Sequence, residues 1–345
     1  MLFETNHISY TDSIVTKQSF SSIQDYPIFS KSNKPSKPPK WITIVVNGGL
    51  GNQLYEIFTA ISFSLKMNKP FFFVYEKHIT GHASVRPTYW DNLLCKLNPC
   101  VVRDDETAAI RKHGEGYIHE EGHHYTPISI QKLQPDLPNV ICLQGYFQSY
   151  KYFEHNFTYI CELTGILERK REFEQECKKK NLPIANISMH FRLGDYKHLT
   201  GIHPIMPYEY YRNALGYMLG ETQTPRTVLF FCEKDDTDYV FEHYIQRLQQ
   251  TYPQCEFILA DQNLPDWKQL LYMSLCEHNI IANSTFSVWA AKLNENLNKQ
   301  VCYPWIWFTD NYVRQDKRFV HDMFPPEWKK ISWLFYNKDS MNYYV

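Results

Sequence analysis

The stretch "VVNGGLGNQLYEIFTAISFSL" (residues 45–65) decides the fold, because its glycines join an apolar strand pattern to an apolar helix pattern. Residues 42–46 (ITIVV) form the continuous apolar run of a buried strand, and residues 53–67 carry apolar side chains at helical spacing. A glycine-rich turn between a strand and a helix lets a ligand, often a phosphate, approach the backbone. The stretch therefore predicts an α/β protein with a ligand-binding loop near its start.

The loop itself, GGLGNQ (48–53), matches neither of the common phosphate-binding motifs. It is not GxGxxG and lacks the acidic residue about twenty positions on, and no Lys-Ser/Thr pair follows it. It offers the side-chain amides of Asn52 and Gln53 at the start of the helix. A plain strand-to-helix turn is the alternative interpretation.

Strand and helix patterns alternate along the rest of the chain. Further strands are predicted at 71–75, 139–145, 186–190, 227–232, 256–260, 278–283 and 300–304, and helices near 162–180, 207–219, 237–250, 266–276 and 284–293. Such alternation favours parallel, doubly wound sheets. Because the pattern restarts after residue 180, we expect two facing Rossmann-like domains, 41–180 and 181–345, after a flexible lead-in of residues 1–40. A ligand would lie between them, beyond the carboxyl ends of the strands.

Composition narrows the class of protein. The 36 basic and 37 acidic residues leave a net charge of -1, which does not favour a nucleic-acid partner. Nine cysteines occur without a CxxC pair, and they are typical of reduced core residues. We find no signal-peptide pattern and no apolar run long enough to span a membrane. The sequence therefore predicts a cytoplasmic protein without a membrane anchor.

The central loop MHFRLGDY (189–196) places His190, Arg192 and Asp195 just after a buried strand. The guanidinium fork of Arg192 suits a diphosphate, because it can donate two parallel charge-assisted hydrogen bonds. Asp195 could hold Arg192 or accept a proton. An ion pair within the loop, without any catalytic role, is the alternative.

A second loop, in IIANSTFSVWAAKLN (280–294), leads into a helix. Ser284 or Thr285 can cap that helix, and its free backbone N–H groups would make an anion site. We expect this helix start to lie at the same open end of the sheet as Arg192.

Two acidic or histidine-rich patterns are weaker. Asp236 and Asp238 could bind a metal ion, but acidic residues at a helix start more often complement the helix dipole. The segment HEEGH (119–123) matches the zinc-protease pattern HExxH. That pattern requires a stable helix, and the neighbouring glycines and proline argue against one.

Together these loops resemble glycosyltransferase family 11, the α-1,2-fucosyltransferases. The resemblance runs from about residue 41 to 305 and includes the glycine loop, LQGYFQSYKYF (143–153), MHFRLGDY and residues 270–294. The family commonly has a second arginine in the central motif, where this chain has Leu193.

This resemblance implies a GT-B type fold, with the acceptor on the N-terminal domain and GDP-fucose on the C-terminal domain. It implies inverting transfer of L-fucose from GDP-fucose to the 2-hydroxyl of a galactose-containing acceptor, with no divalent metal and no other cofactor. Absence of an anchor makes the chain similar to bacterial or viral members, active in the cytoplasm. The implied donor-binding residues are Gly51, Asn52, Arg192, Asn283, Ser284, Thr285 and Phe286, and the implied catalytic residues are Arg192, Asp195 and His190.

Other functions are compatible with the same motifs. Another GDP-sugar-dependent transferase, forming a different fucosyl linkage or fucosylating protein, would share the donor site and differ at the acceptor. A non-catalytic nucleotide-sugar-binding protein would bind GDP-fucose without consuming it.

Overall fold

The structure is a computed structural model. It describes residues 41–80, 85–103, 115–121, 124–130, 138–221, 224, 226–309, 312 and 322–333. The predicted flexible lead-in, residues 1–40, lies outside the described residues.

The N-terminal half is built around a small parallel sheet. Its elements are β1 (Trp41–Ile44), α1 (Leu50–Met67), β2 (Phe73–Val74), β3 (His78–Ile79), β4 (Arg86–Pro87), β5 (Val101–Val102), β6 (Glu115–His119) and β7 (Val140–Gln144). The sheet order is β1-β7-β6, with all neighbours parallel. Strands β2 and β5 form a parallel pair, and β3 and β4 an antiparallel one. The sequence did not predict β3 to β6, because pairs of two residues carry no periodicity and β6 is polar.

Two helices connect the halves where one was predicted. They are α2 (Phe157–Thr164) and α3 (Ile166–Lys180), separated by Gly165 at a φ of 73°. That left-handed conformation favours glycine and ends α2. Helix α3 then packs on the C-terminal half, where Phe173 lies 5.8 Å from the ring of Tyr272. The domain boundary expected at residue 180 stays a prediction.

The C-terminal half contains the larger sheet. Its elements are β8 (Ile187–His190), α4 (Tyr208–Leu219), β9 (Arg226–Phe231), α5 (Thr237–Val240), a π-helical turn (Phe241–Ile245), α6 (Gln246–Thr251), β10 (Cys255–Leu259), α7 (Asp266–Leu275), β11 (His278–Ile280), α8 (Thr285–Leu293), β12 (Val301–Pro304) and β13 (Lys329–Ile331). All six strands are parallel, in the order β10-β9-β8-β11-β12-β13. The predicted elements of this half are confirmed, with small shifts at their ends.

This strand order is that of a doubly wound sheet, and its direction reverses between β8 and β11. At such a reversal the two following loops diverge to opposite faces of the sheet and leave a crevice between them. The loop after β8 carries Arg192, and the loop after β11 carries Ser284. The sheet thus brings together two motifs that lie about ninety residues apart, and ligands bind at this position in α/β proteins.

The two halves meet through α1 and α8. The Trp289 ring lies 5.3 Å from Tyr55 and 4.6 Å from Phe58, all fully buried. At the start of α1, a Cβ added to Gly51 would lie 2.6 Å from the backbone nitrogen of Phe286. Gly51 therefore allows the two helices to approach, which is a packing role that the sequence did not reveal.

Two parallel-sheet halves with a cleft between them form the GT-B arrangement, so the predicted α/β class is confirmed. Among the described residues, the doubly wound order is complete in the C-terminal half. No helix in the described part of the chain is long and apolar enough to cross a membrane. In the segment HEEGH, His119 ends strand β6, whereas residues 122–123 lie outside the described part.

Candidate active site

A cleft of about 740 Å³ opens between the two halves at the β8–β11 crevice. The structure brings all the predicted site residues together around it: Gly51, Asn52, His190, Arg192, Asp195, Asn283, Ser284, Thr285 and Phe286. Their roles remain predictions.

Arg192 is held by carboxylates on two sides. Its guanidinium forms ion pairs with Asp195 and Glu233, and it lies 5.0 Å from the centre of the Tyr196 ring. The Arg192 side chain is 17% exposed, whereas that of Glu233 is 51% exposed. Arg192 is thus pre-positioned at the cleft, and Glu233 is the more exposed of its two partners.

Asp195 also binds an arginine from the other half. Its Oδ2 accepts a hydrogen bond from Nη2 of Arg86, at 2.7 Å. Arg86 lies in β4, and like Arg192 it lines the cleft. Sequence reasoning missed Arg86, because it lies in no motif and its partner is 109 residues away.

The start of helix α8 lies at the cleft without a side-chain cap. Ser284 is the N-cap residue, yet it makes no side-chain capping hydrogen bond. The Thr285 hydroxyl instead donates to Oδ1 of Asn52, at 2.8 Å. The predicted capping by Ser284 or Thr285 is therefore wrong. The first backbone N–H groups of α8, with the positive end of the helix dipole, keep their capacity to bind an anion.

Asn52 joins three segments of the chain. Besides Thr285, its Oδ1 accepts a hydrogen bond from Nε2 of Gln148 at 2.9 Å. The amide of Gln53 is used differently from our expectation, since it donates to the backbone oxygens of Gly48 and Pro87. The two amides therefore fix the glycine loop and its neighbours.

The three glycines of the loop serve different purposes. Gly48 has a φ of +70°, a left-handed conformation that favours glycine. Gly51 allows the contact with α8 described above. Gly49 lines the cleft, and a Cβ added to it would have no neighbour within 4 Å. Of the three, Gly49 leaves the backbone most open to a ligand.

His190 ends strand β8 with its ring buried against Phe286, at 5.8 Å between ring centres. Burial, together with the nearby Arg192, lowers the pKa of His190 to about 3. Within the described part of the chain, its Nδ1 has no hydrogen-bond partner. His190 is therefore a neutral imidazole in the lining of the cleft, and its Nδ1 is buried.

Asn283 and Asp236 are buried residues that bind the backbone of loops around the cleft. The Asn283 side chain is fully buried and donates to the backbone oxygens of Pro204 and Trp307. Asp236 is 2% exposed; it accepts a hydrogen bond from the Gly194 N–H at 2.8 Å and pairs with Lys197. Asp236, at the start of the helical segment, thus holds the loop that follows β8.

The described residues include no group of three or more His, Cys, Asp or Glu placed to hold a metal ion.

Comparison with known proteins gives one family. The family model for glycosyl transferase family 11 matches residues 14–332. The chain is 27% identical over 301 residues to the O-antigen biosynthesis glycosyltransferase WbnK of Escherichia coli, covering 77% of this chain and 94% of the relative. It is 24% identical to an alpha-1,2-colitosyltransferase of Escherichia coli, covering 82% and 96%.

Solved structures are more distant. POFUT1 in complex with GDP aligns with a TM-score of 0.45 and 11% identity, over 77% of this chain and 98% of POFUT1. NodZ alpha-1,6-fucosyltransferase with GDP aligns with a TM-score of 0.40 and 10% identity, over 74% and 93%. Similarity this low says nothing about the roles of the residues at the site.

Proposed function

Because the chain belongs to glycosyl transferase family 11, we propose that it is an inverting α-1,2-fucosyltransferase. It transfers L-fucose from GDP-fucose to the 2-hydroxyl of a galactose-type acceptor. One observation carries the proposal: Arg192, Arg86 and the uncapped start of α8 line the same cleft. These are groups that stabilise the phosphate charge of a departing nucleoside diphosphate.

The chemistry explains why these groups are needed. The acceptor hydroxyl oxygen forms a bond to the anomeric carbon while the bond from that carbon to the β-phosphate oxygen breaks, and the hydroxyl proton passes to water or to the departing diphosphate. Negative charge then develops on the β-phosphate, and preorganised donors lower the barrier by stabilising that charge. Two guanidinium groups and the helix start supply this stabilisation from the protein, so we propose that the reaction needs no divalent metal.

Binding of the donor requires Arg192 to exchange partners. Asp195 and Glu233 occupy its guanidinium in the structure. Glu233 is the more exposed of the two carboxylates, and its release costs least because solvent already screens it. We therefore assign Glu233 as the partner that the diphosphate displaces, while Asp195 keeps Arg192 in place.

Asp195 fits a positioning role better than a general-base role. Its two carboxylate oxygens are used separately, Oδ1 by Arg192 and Oδ2 by Arg86. Both oxygens are thus already engaged by guanidiniums before an acceptor hydroxyl arrives. We assign it to aligning the two arginines.

His190 is assigned to hydrogen bonding with a substrate hydroxyl or phosphate oxygen. Its place in the lining of the cleft next to Arg192 supports this assignment. With a pKa near 3, His190 is too weak a base to take up a proton at neutral pH.

Direct assay tests the proposal. The purified protein is incubated with GDP-fucose and galactose-terminated oligosaccharides, with and without EDTA, while GDP release and product linkage are measured. We expect an α-1,2-linked fucosyl product in equal yield with EDTA. A different linkage would indicate another GDP-sugar transferase. Binding of GDP-fucose without turnover would indicate a non-catalytic protein. Loss of product with EDTA would indicate a metal-dependent site.

A second donor belongs in the same assay. One relative is named an alpha-1,2-colitosyltransferase, which has the proposed linkage but a different transferred sugar. We therefore include GDP-colitose in parallel with GDP-fucose. A higher kcat/KM with GDP-colitose would mean that the proposed linkage is right and that the transferred sugar is colitose instead of fucose.

A further inference from the structure

The loop at residues 145–148, directly after β7, has an unusual backbone. Gly145 has a φ of 150°, and Phe147, which is almost fully buried, has a φ of 49°. A bulky residue in the left-handed region is rare and is energetically unfavourable. Such a conformation persists only where the surroundings hold it, and it is found most often at functional sites.

Glu120 holds this loop. Its Oε2 accepts hydrogen bonds from the backbone N–H groups of Tyr146 at 2.8 Å and Phe147 at 2.9 Å. A Cβ added to Gly145 would lie 2.8 Å from the same oxygen, so glycine is needed for the carboxylate to reach. The Phe147 ring packs on Tyr152, with 5.2 Å between ring centres. These contacts fix the direction in which the side chains of the loop leave the backbone.

Two of those side chains line the cleft, namely Tyr146 and Gln148. The Gln148 amide donates to Oδ1 of Asn52, which links the loop to the start of α8 through Thr285. Tyr146 is a partly exposed residue of that lining. The loop therefore adds an aromatic residue to the cleft that also contains the groups that we assign to the donor.

We propose that the 145–148 loop is the acceptor subsite, with the Tyr146 ring as the platform for a neutral hexopyranose of the acceptor. This inference rests on the proposed function. Pyranose rings have apolar C–H faces that pack on aromatic rings, and their hydroxyls take hydrogen bonds from amides and phenols. The loop carries no charged side chain, whereas the β8 loop carries Arg192 and Asp195. Its chemistry matches an uncharged sugar and not a diphosphate.

Three further aromatic residues fit this role less well. Tyr89 and Trp90 are 3% and 1% exposed, so their rings cannot receive a sugar. Trp305 is 53% exposed, but it does not belong to the lining of the cleft. It offers instead a matched control for the loss of an exposed aromatic ring.

The test compares Tyr146→Ala, Tyr146→Phe and Trp305→Ala with the unmodified protein. Galactoside binding is measured directly by ligand-observed NMR with GDP present, and GDP binding by calorimetry. We expect Tyr146→Ala to weaken galactoside binding about tenfold, the size of a lost aromatic contact. Tyr146→Phe and Trp305→Ala should stay within about twofold, and all variants should bind GDP equally.

The possible results separate the subsite from the proposed function. Unchanged galactoside binding in Tyr146→Ala, or an equal loss of GDP affinity, would overturn the acceptor subsite. An equal loss in Trp305→Ala would also overturn it, since the effect would not be specific to the loop. The proposed function fails separately, if the unmodified protein binds both ligands and forms no α-1,2-fucosyl product.

Discussion

Asp195 of the C-terminal half accepts a hydrogen bond from Arg86 of the N-terminal half, with 2.7 Å between Oδ2 and Nη2. The same carboxylate pairs with Arg192 through its other oxygen. One acidic residue thus ties a guanidinium from each half to the cleft. The relative position of the halves and the charge at the site are therefore coupled, and both arginines line the cleft that we propose for the donor.

Arg192→Ala should lower kcat/KM by about a hundredfold or more, equivalent to roughly 3 kcal/mol of transition-state stabilisation. The physical reason is the loss of a fixed cation next to the developing phosphate charge. Steady-state kinetics with GDP-fucose measure the effect, and Arg247→Ala serves as a control. Arg247 is half-exposed and pairs with Glu209 away from the cleft. Near-full turnover in Arg192→Ala would contradict the assignment of Arg192 to stabilising the phosphate charge.

Arg86→Ala should also lower kcat/KM, whereas Arg86→Lys should restore part of the loss because a cation remains near Asp195. If both arginines act through Asp195, the double variant Arg86→Ala/Asp195→Ala should lose less than the sum of the single losses. A double-mutant cycle on kcat/KM measures this coupling. Strictly additive losses would mean that Arg86 acts independently of Asp195.

Asp195→Asn separates positioning from base catalysis. An amide keeps one oxygen that can accept from a guanidinium, so a positioning residue should retain more activity as Asn than as Ala. A general base should lose activity equally in both, because neither side chain takes up a proton at neutral pH. The pH dependence of kcat/KM in Asp195→Asn completes the test, since an unchanged profile is expected only for positioning.

The sequence revealed the loops of this site better than it revealed the contacts between them. Buried strands followed by polar loops are local signals, so the loops at Arg192 and Ser284 could be placed at one sheet edge. Arg86 lies in no motif, and Tyr146 lies in the segment LQGYFQSYKYF (143–153), which gave no indication of its own role. Their importance depends on which residues the fold brings opposite them, Asp195 for Arg86 and the cleft for Tyr146. The cap on α8 was mispredicted because Thr285 found a different acceptor, Asn52.

Gly51→Ala should destabilise the protein, although alanine favours helix over glycine by about 1 kcal/mol. The added Cβ would lie 2.6 Å from the Phe286 nitrogen and from the Thr285 hydroxyl oxygen. Relieving that overlap should cost about 1–3 kcal/mol. Thermal unfolding measures the change, and Gly49→Ala is the matched control because a Cβ there meets nothing. Equal stability of the two variants would show that α1 and α8 can separate at little cost.

Acid should destabilise the protein in part through His190. Its folded-state pKa of about 3 lies below the ordinary value of 6.5, because burial and Arg192 disfavour the imidazolium. Between these values the unfolded chain binds the proton and the folded chain does not. The contribution is therefore complete above pH 6.5 and is lost as the pH falls towards 3, by up to about 1.4 kcal/mol per pH unit.

His190→Gln removes the titrating group, so its free energy of unfolding should fall less steeply than that of the unmodified protein between pH 6.5 and 4. Urea unfolding at a series of pH values measures the slope. His155→Gln is the control, because it makes the same substitution at an exposed position away from the cleft. Equal slopes for all three proteins would mean that His190 takes up its proton in the folded state as readily as in the unfolded chain, and its assignment as a neutral hydrogen-bonding group would fail with it.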